Sequence, residues 1–356
     1  MLRARSPARR NDGQKELLMN QPGKPVVCVF TLGGTIAMKP ADAGGVVPTL
    51  SAADLIAAIP GLGAEPLELA VHDVANKPGA SLSFTEIYDL ADDITAAPAD
   101  RCAGAVVVQG TDTIEETAYL LDLLIASDSP VVVTGAMRNP SLAGADGPAN
   151  LLASIRVAAS QTARGLGTLV VLNDQIHAAR WVAKTHTAST AAFTSPGFGP
   201  LGQVIEGRVD IPVRLRHRSP VLRPDRQREV IVGLTTVTLG DDGSLIEAAS
   251  EMLDGVVVAA LGVGHVPADI VPVLAKAAAN VPVVLSSRIG AGPVHQQTYS
   301  FTGSETDLLS RGLISAGYLA PVKARLLLHL LIASGADIAS IAETFQLAGG
   351  IPQDRA

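Results

Sequence analysis

The sequence predicts an α/β fold of two domains, a larger N-terminal domain on a parallel sheet and a smaller C-terminal α/β domain. Three observations carry that reading. From residue 26 onward, short β-branched runs alternate with longer amphipathic stretches. The chain has 356 residues, beyond the roughly 100–200 usual for one domain. A stretch rich in Pro and Arg at 208–228 interrupts the alternation. With 47% hydrophobic but only 3% aromatic residues, a large aliphatic core is available, and disorder over most of the chain is excluded.

The elements follow in order. The runs at 26–30, 105–108, 131–133 and 169–172 are apolar and bounded by Gly, Asp, Asn or Pro, which suits strands buried on both faces. Between them, 114–126 and 149–160 have helical spacing. Thr113 followed by Glu116 reads as a capping box that starts the first of these helices. The stretch at 208–228 holds Pro212, Pro220 and Pro224 among Arg214, Arg216, Arg218, Arg223, Arg226 and Arg228. It reads as a solvated inter-domain linker in preference to a grip for an acidic partner. A second α/β unit follows, with apolar runs at 230–234, 256–260 and 281–285 and a helix at 322–334 between Pro321 and Gly335. The expected organisation is a disordered tail at 1–23, an N-terminal domain at 24–207, the linker at 208–228 and a C-terminal domain at 229–350.

The formal net charge is −7. The tail, with Arg3, Arg5, Arg9, Arg10 and Lys15 against Asp12 and Glu16, carries +3, which leaves −10 on the rest. A bulk nucleic-acid binder does not look like this. The tail lacks the apolar stretch of a secretory signal, and an over-extended start ahead of Met19 is an alternative to a disordered tail. No run approaches the ~18 apolar residues of a membrane span. Cys28 and Cys102 lie in apolar runs and read as buried, reduced thiols of a cytoplasmic protein.

In open parallel sheets ligands bind beyond the carboxyl ends of the strands, and here those ends are polar. The first strand runs into Thr31-Leu32-Gly33-Gly34-Thr35, the next into Gln109-Gly110-Thr111-Asp112-Thr113. Two others end in Thr134-Gly135-Ala136-Met137-Arg138 and Asn173-Asp174. Neither a dinucleotide fingerprint nor a P-loop is present. The seven histidines and two cysteines show no metal-binding spacing, and no Gly-x-Ser-x-Gly elbow occurs. A hydroxyl nucleophile needs a base or strongly polar partner. Asp112 alone cannot readily deprotonate an alcohol, whereas a lysine beside it can shuttle a proton. Lys184 is the only lysine between positions 78 and 275. Taken singly, Gly33-Gly34-Thr35 reads equally as an ordinary turn, Asp112-Thr113 as a helix cap, and Lys184 as a surface lysine.

Taken together, 31–37 and 110–118 resemble the two signatures of bacterial-type L-asparaginases and glutaminase-asparaginases. The likeness continues in order through Gly135-Ala136-Met137-Arg138, Asp146-Gly147-Pro148-Ala149-Asn150, Lys184-Thr185, Ser286-Ser287-Arg288 and Lys323-Ala324-Arg325. It covers residues 24–346. The resemblance implies the two-domain fold of that family and a cytoplasmic amidohydrolase that turns L-asparagine into L-aspartate and ammonia, with no metal and no organic cofactor. It implies Thr35 as nucleophile on a mobile loop, and Thr111, Asp112 and Lys184 as the second catalytic group, with Asp112 also receiving the substrate's α-amino group. Backbone around Gly34, Thr111 and Ala136 would hold the amide, with Gly110 also among the substrate-binding residues, and Gly79, Ala80 and Ser81 would take the α-carboxylate. Glu305 matches an acid lent by an adjacent subunit in a homotetramer built from dimers.

Three departures stand against the family pattern. Residues 36–60 contain no tyrosine, where the family carries one in the lid; Gly45 or Val46 falls at that spacing. Gly79 stands where a serine is usual, and Gln109 where a histidine is common. Of the four tyrosines, Tyr299 from a neighbouring subunit is the candidate replacement. The departures keep two further readings open: a relaxed amidase acting on glutamine or another small amide, and a non-catalytic amino-acid-binding homologue.

Overall fold

The computed structural model describes residues 24–34, 38–40, 46–48, 52–97 and 102–350; the tail at 1–23 lies outside them. The chain opens with β1 (Val26–Thr31), whose β-branched residues are buried almost throughout. There follow β2 (Met38–Pro40), β3 (Val46–Pro48), α1 (Ala52–Ala57), β4 (Glu68–Asp73), α2 (Phe84–Ala96), β5 (Cys102–Val108), α3 (Ile114–Leu124), β6 (Val131–Thr134) and α4 (Gly147–Ala159). Next come β7 (Thr168–Leu172), β8 (Gln175–Ala178), β9 (Ala183–Lys184), β10 (Phe193–Thr194), β11 (Gly202–Ile205) and β12 (Arg208–Asp210).

Eight of these strands form one sheet in the order β12-β11-β8-β7-β6-β5-β1-β4. From β4 to β7 it is parallel, as the apolar runs predict. Beyond β7 the chain turns back and adds β8, β11 and β12 antiparallel, so the sheet is mixed. The reversal rests on Asn173 and Asp174, with φ of 51° and 58°. Two consecutive left-handed residues match the twist of a two-residue hairpin, and Asn and Asp tolerate that region best among non-glycine residues. Cys28 and Cys102 are buried and free, as expected. Burial, reinforced by the neighbouring Cys102, pushes the Cys28 thiol up to about 12.

The second unit contains β13 (Val232–Thr236), α5 (Ser244–Ala249), β14 (Gly255–Ala260), α6 (Val271–Ala278), β15 (Val283–Ser287), α7 (Glu305–Ser310), β16 (Ile314–Ser315), α8 (Pro321–Ala333) and α9 (Ile338–Ala348). Its sheet is parallel, in the order β13-β14-β15-β16. Residues 208–228 do not hang free between the units. Residues 208–210 pair with β11, and the arginines beyond them cap exposed carbonyls of the first unit. Arg214 donates to Thr162 O and Arg164 O at 3.0 and 2.8 Å. Arg218 and Arg223 reach Ser127 O and Leu124 O at 3.0 and 2.9 Å, around the C-terminal end of α3. Cations there satisfy orphan carbonyls and complement the helix dipole. The expected solvated linker is therefore a strap held on its own domain.

Helix α8 joins the two units. Pro321 occupies its first turn, where a missing N–H costs nothing. From Leu326 to Ala333 every residue is buried, and a helix apolar on all sides must be covered on all sides. It packs against α3 of the first unit and β13, β14 and β15 of the second. One continuous core results, containing Phe30, Val107 and Leu123 with Val257, Val284 and Leu327. Each fully buried leucine contributes about 1.5–3 kcal/mol by area alone.

His329 of α8 is buried with its ring stacked on Phe84, 4.0 Å between centroids. Burial, with help from Arg325, lowers its pKa from 6.5 to about 4. Burial likewise lowers that of His177 to about 4. The unfolded chain takes up protons near pH 6.5 that the folded chain refuses until about pH 4, so acid favours unfolding within that window. Each histidine contributes up to about 1.4 kcal/mol per pH unit there. His329→Phe, which keeps the stacking, should flatten the fall in thermal midpoint between pH 6.5 and 4. An unchanged slope would show that the ring is not a source of it.

Candidate active site

The parallel register aligns the carboxyl ends of β4, β1, β5 and β6, since Thr31 pairs with both Asp73 and Val108, and Val108 with Thr134. The Thr31 hydroxyl donates to Asp73 Oδ1 at 2.7 Å. Beyond this edge three glycines meet backbone to backbone. A Cβ on Gly34, whose φ is +92°, would lie 2.2 Å from Gly110 N. One on Gly79 would lie 2.7 Å from Gly110 O, and one on Gly110 would lie 2.8 Å from Gly79 N. The loops after β1, β4 and β5 thus converge as only glycine allows. In the same loops, Ala80 and Ser81 are exposed at the rim. Gly79, at the usual serine position, serves as part of this contact.

Thr113 does not form the capping box expected of it. It is the N-cap of α3, but its side chain makes no cap hydrogen bond. Its hydroxyl instead donates to Gly79 O at 2.9 Å and accepts from Gln109 Nε2 at 3.1 Å. The chain enters α3 through a 3₁₀ turn, Thr111–Thr113, and the hydroxyl that would cap the helix ties two site loops together. Gln109 is fully buried in this tie and also donates to Gly110 O at 3.3 Å. A genuine capping box occurs at Ser83 and Glu86, opening α2.

The 3₁₀ turn presents Thr111 and Asp112 to Lys184. Lys184 Nζ donates to Thr111 Oγ1 and to Asp112 Oδ1, both at 2.9 Å. Thr111 is buried at 7% exposure, whereas the Asp112 side chain is 66% exposed. The hydroxyl therefore sits in a dry, fixed position while the carboxylate faces the cleft and can receive a cation. The Lys184 N–H donates to Glu115 Oε1 at 3.3 Å. Burial and the Glu115 charge push Glu116 above the usual carboxylate range, with Arg325 and Lys323 opposing.

Ala136 is buried at the end of β6, on a loop fixed from below. Asp146 accepts from Met137 N and Arg138 N at 3.0 and 2.8 Å. Asn150 donates to Gly135 O at 3.0 Å and accepts from Asn173 N at 2.9 Å. Residues 146 and 150 thus hold the strand-end loops in place.

Thr35 lies outside the described residues, as does Gly45; it directly follows Gly34, whose place at the cleft is given above. Glu305 is not brought to this group. It is fully buried in the second unit, accepting from Thr298 N and Tyr299 N at 2.9 and 2.8 Å and facing His265 Nε2 at 3.2 Å. Its carboxylate shapes the 295–301 loop of its own chain. Tyr299, on that loop, is 43% exposed, its ring edge-on to His265. Sequence reasoning gave no role to Glu115 or Asp146, which act on backbone N–H groups. Among the described residues no cluster of three or more His, Cys, Asp or Glu side chains gathers at metal-binding distance.

Comparison with known proteins points the same way. Residues 26–216 match the family profile "Asparaginase, N-terminal", and residues 231–345 match "Glutaminase/Asparaginase C-terminal domain". A probable L-asparaginase of Deinococcus radiodurans is 35% identical, over 90% of this chain and 97% of its own. An L-asparaginase of Bacillus licheniformis is 33% identical, over 86% of this chain and 95% of its own. The crystal structure of a probable cytoplasmic L-asparaginase from Campylobacter jejuni superposes with a TM-score of 0.80 at 33% identity, covering 90% of this chain and 99% of that one.

The glycine contact is directly testable. Gly110 has an ordinary backbone conformation, φ −65° and ψ 141°, so alanine there suffers only from the close approach. Gly110→Ala should lower stability by about 1–3 kcal/mol in urea denaturation. Gly63→Ala, with nothing within 4 Å of its Cβ, should leave it within about 0.5 kcal/mol. Equal effects would mean that the three loops are not in tight contact.

Proposed function

The chain belongs to the glutaminase/asparaginase family, and from that membership and the geometry of its cleft we infer that it is an amidohydrolase converting L-asparagine and water to L-aspartate and ammonia. The observation that carries this is Lys184 held at 2.9 Å from both Thr111 and Asp112 at the mouth of the large sheet. In this reading Thr35 Oγ attacks the side-chain amide carbon, the C–N bond breaks, and the amine leaves as ammonia with the proton given up by the threonine. Water then opens the resulting ester, freeing aspartate and restoring the hydroxyl. Thr111, hydrogen-bonded to Lys184, relays the proton taken from that water. Asp112, open to the cleft, receives the substrate's α-ammonium group. Gly34, Gly110 and Ala136 line the amide position, where fixed backbone donors are typically worth about 10²–10³ in rate each. Gly79, Ala80 and Ser81 form the rim that would take the α-carboxylate.

Supporting a cytoplasmic setting are the two free cysteines and the likeness to the probable cytoplasmic L-asparaginase of Campylobacter jejuni; among the described residues no helix is long and apolar enough to cross a membrane. A homotetramer built from dimers fits the exposed rings of Tyr299 and Phe301, 43% and 51% accessible in the single chain. A native mass of four 36.5 kDa chains would agree with it and a mass of one would not. The absence of a lid tyrosine and the glycine at position 79 favour, as a second reading, a relaxed amidase that also accepts glutamine or another small amide.

The test is ammonia release from L-asparagine by the wild type and by variants. Thr35→Ala should lose essentially all turnover, and Lys184→Met or Thr111→Val about 10³-fold or more in kcat. Turnover surviving Thr35→Ala would remove the threonine from the nucleophile's role.

A further inference from the structure

The segment that carries Lys184 is weakly built. Strand β9 is two residues long and pairs only with β10, which is equally short, outside the eight-stranded sheet. Its own ladder cannot fix a side chain to within the few tenths of an ångström that proton transfer requires. Local hydrogen bonds of Val182 to Ala178 O and of Thr185 to Ala192 O extend it, and two side chains from helices α3 and α8 tie it to the rest of the fold. On one side, the Lys184 N–H donates to Glu115 Oε1 in the first turn of α3, directly after the turn bearing Thr111 and Asp112. On the other, Lys323 of α8 donates from Nζ to Val182 O, two residues before Lys184. Lys323 is 1% exposed, and Val182 is fully buried.

A buried ammonium is costly, by several kcal/mol even after relaxation, and an apolar side chain of similar volume often serves stability as well or better. Burial accordingly lowers the pKa of Lys323 to about 8, against the opposing pull of the Glu115, Asp122 and Glu116 carboxylates. All three belong to α3. Lys323 therefore reaches from the second unit to the backbone of the Lys184 segment, from a helix that packs against the one presenting Thr111 and Asp112. We propose that Lys323 is a positioning residue, through which the C-terminal domain holds Lys184 in register with Thr111 and Asp112.

This inference rests on the reading of Lys184 given above, so its test includes that residue. kcat and KM for L-asparagine are measured for Lys323→Met, Glu115→Leu, the double variant and Lys184→Met, each well below its own thermal midpoint. Lys323 touches no reacting atom, so misplacement of Lys184 should lower kcat about 10–10²-fold in each positioning variant, with KM within about threefold. Because both residues act on one segment, the double variant should be no slower than the worse single variant. A wild-type kcat in Lys323→Met, or losses that multiply in the double variant, would overturn the proposal while leaving the role of Lys184 intact. Full turnover in Lys184→Met would overturn that role and the proposal with it. Should Lys323→Met fail to fold, Lys323→Leu, which also lacks the donor, decides: a tenfold or greater kcat loss at unchanged KM supports the proposal, and wild-type kcat refutes it.

Discussion

The structure depends on the burial of residues 326–333 of α8 between helix α3 of the first unit and the sheet of the second. A helix with Leu326, Leu327, Leu328, Leu330, Leu331 and Ile332 in sequence has no face to give to solvent. Only a fold that covers it from both units satisfies that demand. The consequence is a core shared by both domains, in addition to the separate core on the far side of each sheet. Such an interface does not part readily, and a side chain on this helix can serve as a fixed point for the neighbouring domain. Lys323 and His329 both exploit that rigidity.

On this frame the cleft is assembled mostly by backbone. Gly34, Gly79 and Gly110 bring three loops closer than any side chain would permit. Thr113 ties two of those loops together, and Asp146 and Asn150 hold the loops after β6 and β7, through carbonyl and amide groups. The groups to which we assign the chemistry, Thr111, Asp112 and Lys184, stand at the end of this scaffolding. Thr111 is dry and Asp112 is open to solvent, which suits proton relay and ammonium recognition respectively.

Much of this was legible in the sequence. The parallel strands announce themselves as Val-rich runs because both their faces are buried, and α8 by its proline, its leucines and Gly335. Lys184 stands out because lysines are scarce and a hydroxyl needs a partner. The antiparallel extension was hidden, since β8, β11 and β12 are short and the turn at Asn173-Asp174 gives the same letters as a polar strand end. Thr113 misleads because the same threonine can cap a helix or bind a distant carbonyl, and only tertiary contact with Gly79 decides. The arginines of 208–228 read as solvated because the carbonyls they meet leave no mark in sequence. Glu115 escapes notice for the same reason, because its partner is a backbone N–H. Side-chain chemistry is written in residue types, whereas backbone partners are written only in the fold.

The central claim is that this cleft turns over the side-chain amide of asparagine. Its most direct measurement is ammonia release by the wild-type protein with L-asparagine, L-glutamine and D-asparagine compared under one condition. Turnover should be fastest on L-asparagine, with any glutamine activity slower. Thermal stabilisation by L-aspartate without ammonia from any of the three amides would contradict it and leave an amino-acid-binding protein in its place.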